Sequence, residues 1–291
     1  MTERILAPLR GVTIRAFRET FAVPIAEAGF TEAVTPFITA TGGFDPLRDR
    51  ELRPSSAAIR HPPSAGHSLV LTPQFIGKDP AALKFCLERV KSAGYSTADL
   101  NCGCPFPMVR NKGRGSGLLR TPDVLARMLE TGCEAMGPGK FSMKARLGVD
   151  RADELLGLMK VVNEFPLRFL TVHARTARQM YGGECDKEAF KAIRDAARMK
   201  VVYNGDAELG YADGDVMIGR GFVRALGERE DIGELMDGYL ERSRVELGGS
   251  ESAVLGRIKE LLSYWKGLRR WRGRWEVGKL ARNLDEIRVW R

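Results

Sequence analysis

The stretch Asp99–Leu119 reads DLNCGCPFPMVRNKGRGSGLL and passes from strand to turn to glycine-rich loop. An extended segment over Thr97–Asn101 ends at Asn101. Cys102, Gly103, Cys104 and Pro105 follow, residues that suit a core strand badly and a turn well. Gly113, Gly115 and Gly117 punctuate a loop before Leu118 and Leu119 resume apolar sequence. A thiol on a turn at the end of a strand, next to such a loop, is how a reactive group is presented at a working surface. A buried structural cysteine or half of a metal site are the alternatives, because free cysteine is among the most often buried residue types.

Outward from this stretch, strand and helix signals alternate. Strands are expected at Ile5–Ala7, Ala33–Ile38, Leu69–Phe75, Thr97–Asn101, Phe141–Arg146, Phe169–His173, Val201–Asn204 and Asp215–Ile218. Helices are expected from a Thr13 cap through Phe21, at Pro80–Ala93, at Pro122–Glu130 with Thr121 as cap, at Ala152–Asn163 and at Lys187–Ala197. Pro36 falls inside the second strand and is tolerated only at an end or a bulge. Gly42–Ser68 turns to Pro, Ser, Arg and Gly and reads as a long surface segment with little regular structure. Eight strands joined by helices imply parallel βαβ units and an α/β fold, a (β/α)8 TIM barrel. Only ten residues separate Asn204 from Asp215, and a parallel crossover takes about a dozen or more. The outer helix between strands seven and eight is therefore expected to be shortened or missing.

From Leu226 onward only helical patterns remain, which divides the chain into a barrel at 1–226 and a small all-helical C-terminal domain at 227–291. Val254, Leu255, Ile258, Leu261, Leu262, Trp265 and Leu268 form one apolar face. Residues 250–291 hold eleven Lys or Arg against five acids, so most of the whole-chain excess of +9 sits there. Trp265, Trp271, Trp275 and Trp290 lie among those charges, either as bundle core or as stacking groups on a surface that grips RNA.

Composition narrows the class. Apolar residues make up 44% and charged residues 29%, ordinary for a globular protein with a sizeable core. No run reaches the ~18 apolar residues of a membrane helix, and the opening MTERILAPL lacks a cleavable apolar core. A cytoplasmic protein without membrane partners is expected. Five scattered cysteines, Cys86, Cys102, Cys104, Cys133 and Cys185, indicate reduced thiols rather than a disulfide frame. With no C-x-x-C pair and only His61, His67 and His173, no metal site is expected.

In such a barrel the working groups sit at the C-terminal ends of strands, with phosphate held after strands seven and eight. The chain has candidates at these places: Pro8, Leu9 and Arg10 after strand one, Gln74 on strand three, Asn101 and Cys104 at strand four, and Lys144 and Arg146 on strand five. His173 and Arg175 close strand six, Asn204, Gly205 and Asp206 follow strand seven, and Gly219 and Arg220 follow strand eight. Glycine backbones that let N–H groups approach an anion, with Arg220 beside them, make a phosphate-bearing ligand the natural reading.

N-C-G-C-P followed by V-R-N-K-G-R-G-S-G-L-L resembles the signature of the tRNA-dihydrouridine synthases, flavoenzymes that reduce uridine in tRNA, and most of all their bacterial C branch. The resemblance implies FMN as cofactor and NADPH as reductant, tRNA as partner, and a monomer. It implies that Pro8, Leu9, Arg10, Gln74, Lys144, His173, Asn204, Gly205, Asp206, Gly219 and Arg220 bind the flavin. Asn101, Arg146 and Arg175 would bind substrate, and Cys104 would donate the proton. It points to the D-loop, with U16 the candidate position, and to the helical C-terminal domain as the tRNA holder. Pro36 replaces the acidic residue of the family's T-E-F motif, and Thr39 stands where an Arg helps define C-type binding. A degenerate RNA-binding homologue without catalysis, and an FMN barrel oxidoreductase acting on a free pyrimidine, are the alternatives.

Overall fold

The computed structural model describes residues 2–52 and 69–290. The strands are Arg4–Leu6 (β1), Glu32–Val34 (β2), Ile38–Thr39 (β3), Val70–Thr72 (β4), Gln74–Ile76 (β5), Ala98–Cys102 (β6), Phe141–Gly148 (β7), Phe169–Thr176 (β8), Lys200–Asn204 (β9) and Val216–Ile218 (β10). Pro36 and Pro73, which have no N–H for a ladder, split the second and third staves, so ten segments build eight staves. Every pairing is parallel. β1 bonds both β10 and β2, β2 bonds β4, and β5 bonds β6, so the ring closes on itself.

Helices Arg15–Thr20 (α1), Ala22–Glu27 (α2), Pro80–Ser92 (α3), Pro107–Arg110 (α4), Pro122–Met136 (α5), Glu154–Val162 (α6), Lys187–Ala196 (α7) and Arg220–Leu226 (α8) follow the strands. They cover outward residues such as Leu100, Met143, Ala145, Leu170 and Val172, which lie in one core with them. The alternate residues face the barrel interior. Ile5, Ala7, Val34, Phe169, Val202 and Met217 pack there as a separate apolar cluster. The rest of the interior is polar, with Gln74, Asp99, Ser142 and Thr171 fully buried. At its lower end Glu32 pairs with Arg168 and accepts the Thr72 hydroxyl at 2.5 Å.

Residues 205–215 form turns without a helix, as the short interval between Asn204 and Asp215 requires. Tyr211 stacks on Tyr203 at 5.0 Å, and Tyr203 meets Phe190 of α7 edge-on at 5.0 Å. That aromatic stack closes the wall where a helix would lie.

Of the two expected caps, Thr13 is corrected, while Thr121 is the N-cap of α5 without a side-chain capping bond. The Thr13 hydroxyl donates to Ala7 O at 2.8 Å and accepts Leu9 N–H at 2.7 Å, so it closes the first strand-to-helix loop, and Ile14 precedes α1. Thr121 stands before α5, but its hydroxyl turns back to Leu118 O at 3.3 Å. Of the expected irregular segment at Gly42–Ser68, residues 42–52 carry one short 3-10 turn at Pro46–Arg48. Its remainder, 53–68, lies outside the described residues, as do His61 and His67.

After α8 the chain continues as Ile232–Glu246 (α9), Glu251–Ser263 (α10) and Arg272–Gly278 (α11). Phe17 of α1 and Phe21, between α1 and α2, meet Tyr239 of α9 at 6.3 and 5.8 Å, so this helical segment shares its core with the barrel. Of the two readings of the tryptophans, bundle core holds for three of the four. Trp265, Trp271 and Trp290 are buried, and the Trp265 and Trp271 indole N–H groups donate to Val223 O and Gly227 O at 2.6 Å. A buried indole needs both apolar neighbours and an acceptor, and the end of α8 supplies both. Lys266, Arg269, Arg270 and Arg272 remain exposed. Among the described residues no helix is long and apolar enough to cross a membrane.

Candidate active site

The inward residues at one rim of the barrel meet because the register aligns them. Asn101 of β6 pairs with Lys144 of β7, Arg146 of β7 with His173 of β8, and His173 with Asn204 of β9. Loops after β1, β6, β9 and β10 add Pro8, Leu9 and Arg10, then Gly103 and Cys104, Gly205, and Gly219 and Arg220. Together they line one pocket that is partly open to solvent. Among the described residues Arg10, Lys144, Arg146 and Arg220 line it and no carboxylate does. The pocket therefore attracts anions.

Cys104 lines this pocket at 6% exposure. Its turn is held from both sides. The Asn101 side-chain carbonyl accepts the Gly103 and Cys104 N–H groups at 3.1 and 2.9 Å, and Cys104 O accepts the Ser116 N–H and hydroxyl at 3.2 and 2.9 Å. The glycine loop can come this close because Gly115 adopts φ +57°. A Cβ there would lie 2.7 Å from Cys104 Cβ. Burial raises the thiol's pKa, while Arg10 and Arg146 pull it down less strongly. The group is thus a protonated thiol at neutral pH, with two cations placed to accept the thiolate. Cys102 points outward into the helix layer as core.

Lys144 donates to Asn204 Oδ1 at 2.7 Å, and Asn204 Nδ2 donates to Met217 O at 2.8 Å, so one asparagine fixes the ammonium against β10. Burial, reinforced by Arg146, pushes the Lys144 pKa down to about 7. His173 is held well below the ordinary histidine value by burial and by Lys144, Arg146, Arg175 and Arg220, which makes it a neutral imidazole. Arg146 spans the site from behind: Nε donates to Gly103 O at 3.0 Å, and Nη1 donates to Thr176 O and Met180 O at 2.9 and 2.5 Å.

Three expected site residues stand outside the pocket lining. Gln74 is fully buried below the rim, its amide committed to Asp99 and Asn101. Arg175 is 2% exposed and spends its guanidinium on Gly182 O, Gly183 O, the Cys185 thiol and Asp206. A group so fully committed shapes the 177–186 loop rather than reaching for a ligand. Asp206 bridges Arg175 and Arg220 at 2.5 and 2.7 Å and so orients Arg220.

Phe37, Phe106 and Tyr181 line the pocket without having been expected there. Tyr181 lies between two cations, with the Arg146 and Arg220 guanidinium carbons 5.3 and 5.2 Å from its ring centre. The loop delivers it through Met180, a non-glycine residue held at φ +53°, a conformation that costs energy and clusters at functional sites. Its sequence context, Q-M-Y-G-G, is that of any exposed loop aromatic.

A family model described as dihydrouridine synthase matches residues 5–224. Among curated relatives, the tRNA-dihydrouridine synthase B of Vibrio vulnificus is 26% identical over 271 residues, covering 90% of this chain and 80% of the relative. The tRNA-dihydrouridine(16) synthase of Ralstonia nicotianae is 30% identical over 234 residues, covering 77% and 70%. B-type enzymes and the position-16 enzyme thus match at similar identity, and the identities do not single out the C branch. In fold, the chain is similar to the old yellow enzyme homologue of Zymomonas mobilis, with a TM-score of 0.55 at 11% identity, covering 76% of this chain and 85% of the other.

Proposed function

Because this chain belongs to the dihydrouridine synthase family, we propose that its mouth pocket holds FMN together with a uracil and that Cys104 delivers the proton completing the reduction. The reaction is the flavin-dependent reduction of uridine to 5,6-dihydrouridine in tRNA. The observation that carries the reading is a buried, protonated thiol on the rim of a pocket lined by cations and, among the described residues, by no carboxylate.

The pocket suits an anionic cofactor. Gly205 and Gly219 bring backbone to its wall at the ends of β9 and β10, and Arg220 adds a guanidinium that Asp206 orients. Pro8, Leu9 and Arg10 would meet the edge of the ring system, with Lys144, His173 and Asn204 beneath it. When bound, FMN supplies the hydride for uracil C6, and NADPH restores it. Lys144, next to the cofactor, opposes negative charge in a partly dry site where a fixed cation is stronger than in water. The C5=C6 bond needs one hydride and one proton. The Cys104 thiol gives its proton to C5, and the thiolate left behind faces Arg10 and Arg146 until solvent returns the proton. Asn101, which lines the pocket, is within the set that would meet the flipped base.

The reading assigns residues 1–226 to chemistry and 227–291 to tRNA, whose backbone would meet the exposed cations Lys266, Arg269, Arg270 and Arg272. Position 16 of the D-loop is the proposed target, supported by the 30% identical relative named for that position, and the enzyme would work in the cytoplasm. Cys104→Ala is expected to keep flavin absorbance and to lose dihydrouridine formation. Wild-type turnover in that variant rejects the thiol's role. Sequencing dihydrouridine sites in tRNA from a strain lacking the gene, with and without its return, identifies the position.

A further inference from the structure

Asp99 lies on β6 two residues before Asn101, fully enclosed in the barrel, and the chemistry above does not use it. Its Oδ1 accepts the Ser142 hydroxyl at 2.6 Å, and its Oδ2 accepts Gln74 Nε2 at 2.7 Å. Gln74 Oε1 in turn accepts Asn101 Nδ2 at 2.8 Å. Asn101 Oδ1 accepts the backbone N–H groups of Gly103 and Cys104 at 3.1 and 2.9 Å. Side chains of β5, β6 and β7 therefore form one connected line from the barrel interior to the turn that bears the thiol.

This line has a direction, fixed by acceptors at the Asp99 end and by the Gly103 and Cys104 N–H donors at the other. A carboxylate offers only acceptors, whereas either end of a primary amide can face a neighbour. Burial pushes the Asp99 pKa up to about 6 against the opposing pull of Ser142, Gln74 and Lys144, which leaves it ionised at neutral pH. Gln74 must then turn its NH2 toward Asp99 and its carbonyl toward Asn101. Asn101 must in turn point its NH2 at Gln74 and its carbonyl at the turn. With either amide inverted, donors would face donors inside the barrel.

We propose that Asp99 is a positioning residue for Cys104: its acceptors set the orientation of both amides, and the Asn101 carbonyl so aimed fixes the thiol turn. The assignment rests on the reading of Cys104 as proton donor. Its test therefore measures the turn separately from turnover.

Two substitutions divide charge from polarity. Asp99→Asn keeps an acceptor for Gln74, and its NH2 faces a Ser142 hydroxyl that can turn to Ala98 O, already at 3.4 Å. Asp99→Leu leaves no acceptor and frees Gln74 to invert. Hydrogen exchange of the Gly103 and Cys104 amides is expected to stay within about threefold of wild type in Asp99→Asn and to quicken at least about tenfold in Asp99→Leu. In Asp99→Leu, kcat for dihydrouridine formation is expected to fall at least about tenfold with KM for tRNA within about threefold, the pattern of lost positioning rather than lost binding. Should Asp99→Leu not fold, Gln74→Glu serves instead. Alone it sets two carboxylates together and loosens the turn. Combined with Asp99→Asn it regains a donor for the new carboxylate, which still accepts from Asn101, and amide protection returns. Wild-type exchange in Asp99→Leu, equal damage in Asp99→Asn and Asp99→Leu, or a double variant no better than Gln74→Glu overturns the proposal. Faster exchange with undiminished kcat upholds the hold of Asp99 on the turn and rejects Cys104 as the donor.

Discussion

Gly115→Ala probes how tightly the glycine loop seats on the thiol turn. At φ +57° the position is left-handed, and an added Cβ would meet Cys104 Cβ at 2.7 Å and Cys104 O at 3.0 Å. The backbone conformation alone costs an L residue about 1–2 kcal/mol. Overpacking against a held turn adds about 1–3 kcal/mol, for a combined loss of about 2–5 kcal/mol. Unfolding entropy for a chain of this length is about 0.6 kcal/mol per degree, so Tm is expected to fall by about 3–8 °C. Gly43→Ala is the matched control: its φ is +80° and no described residue lies within 4 Å of the added Cβ. Only the conformational cost applies there, about 2–3 °C. Calorimetry on both variants isolates the steric part. Because Cys104 O accepts from Ser116 next to Gly115, a displaced loop also moves the thiol. Turnover at 25 °C, where both variants are folded, is expected to drop at least about tenfold in Gly115→Ala alone. Equal Tm losses in the two variants, or Gly115→Ala with wild-type turnover, would refute the reasoning.

Lys144 has a pKa of about 7 when folded, against the ordinary 10.5. Between those values the unfolded chain binds a proton that the folded one has released, so stability of the ligand-free protein rises as pH climbs from about 7 toward 10.5, falls back over that same window as pH drops, and is flat with respect to this group below about 7. Lys144→Met should flatten that part of the Tm-against-pH curve; parallel curves, or a Lys144 carbon resonance titrating near 10.5, contradict it. Trp265→Ala removes a buried indole and its bond to Val223 O, and a loss of about 3–5 kcal/mol is expected by denaturant titration. A loss below about 1 kcal/mol would return that tryptophan to the surface. Replacing exposed Lys266, Arg269 and Arg272 with Gln should leave Tm within about 2 °C. The same change should lower the slope of log Kd for tRNA against log salt by roughly two. An unchanged slope places the tRNA on another face.

Local chemistry made much of the fold legible in the chain alone. The strand and helix order followed from period-two and helical patterns bounded by Pro and Gly, and the ten-residue interval before Asp215 was too short for a helix whatever the tertiary context. Pro36 announced a break in its stave because proline lacks the ladder donor. The cap at Thr13 was misplaced, and Thr121 holds the cap position without using its hydroxyl on the helix, because a hydroxyl can satisfy a loop carbonyl as readily as a helix N–H, and only the folded loop decides between them.

The candidate site divides along the same line. Residue types at strand ends pointed to the barrel mouth, and the motif around Cys104 pointed to the thiol, since both are properties of contiguous sequence. Which of those groups face the pocket depends on the closed ring. Gln74, Arg175 and Asp206 stand at the expected positions, yet their hydrogen bonds go to other side chains of the barrel and, for Arg175, also to its own following loop. Tyr181 reaches the mouth through one left-handed residue and two guanidinium groups, one from β7 and one from the start of α8. The sequence by itself determined the strand order and the chemistry available at each strand end, because those depend on neighbours along the chain. The tertiary structure alone decided the direction of the Asp99 hydrogen-bond line, the burial of the tryptophans and the loop-borne aromatic at the rim, because each depends on partners brought together only when the barrel closes.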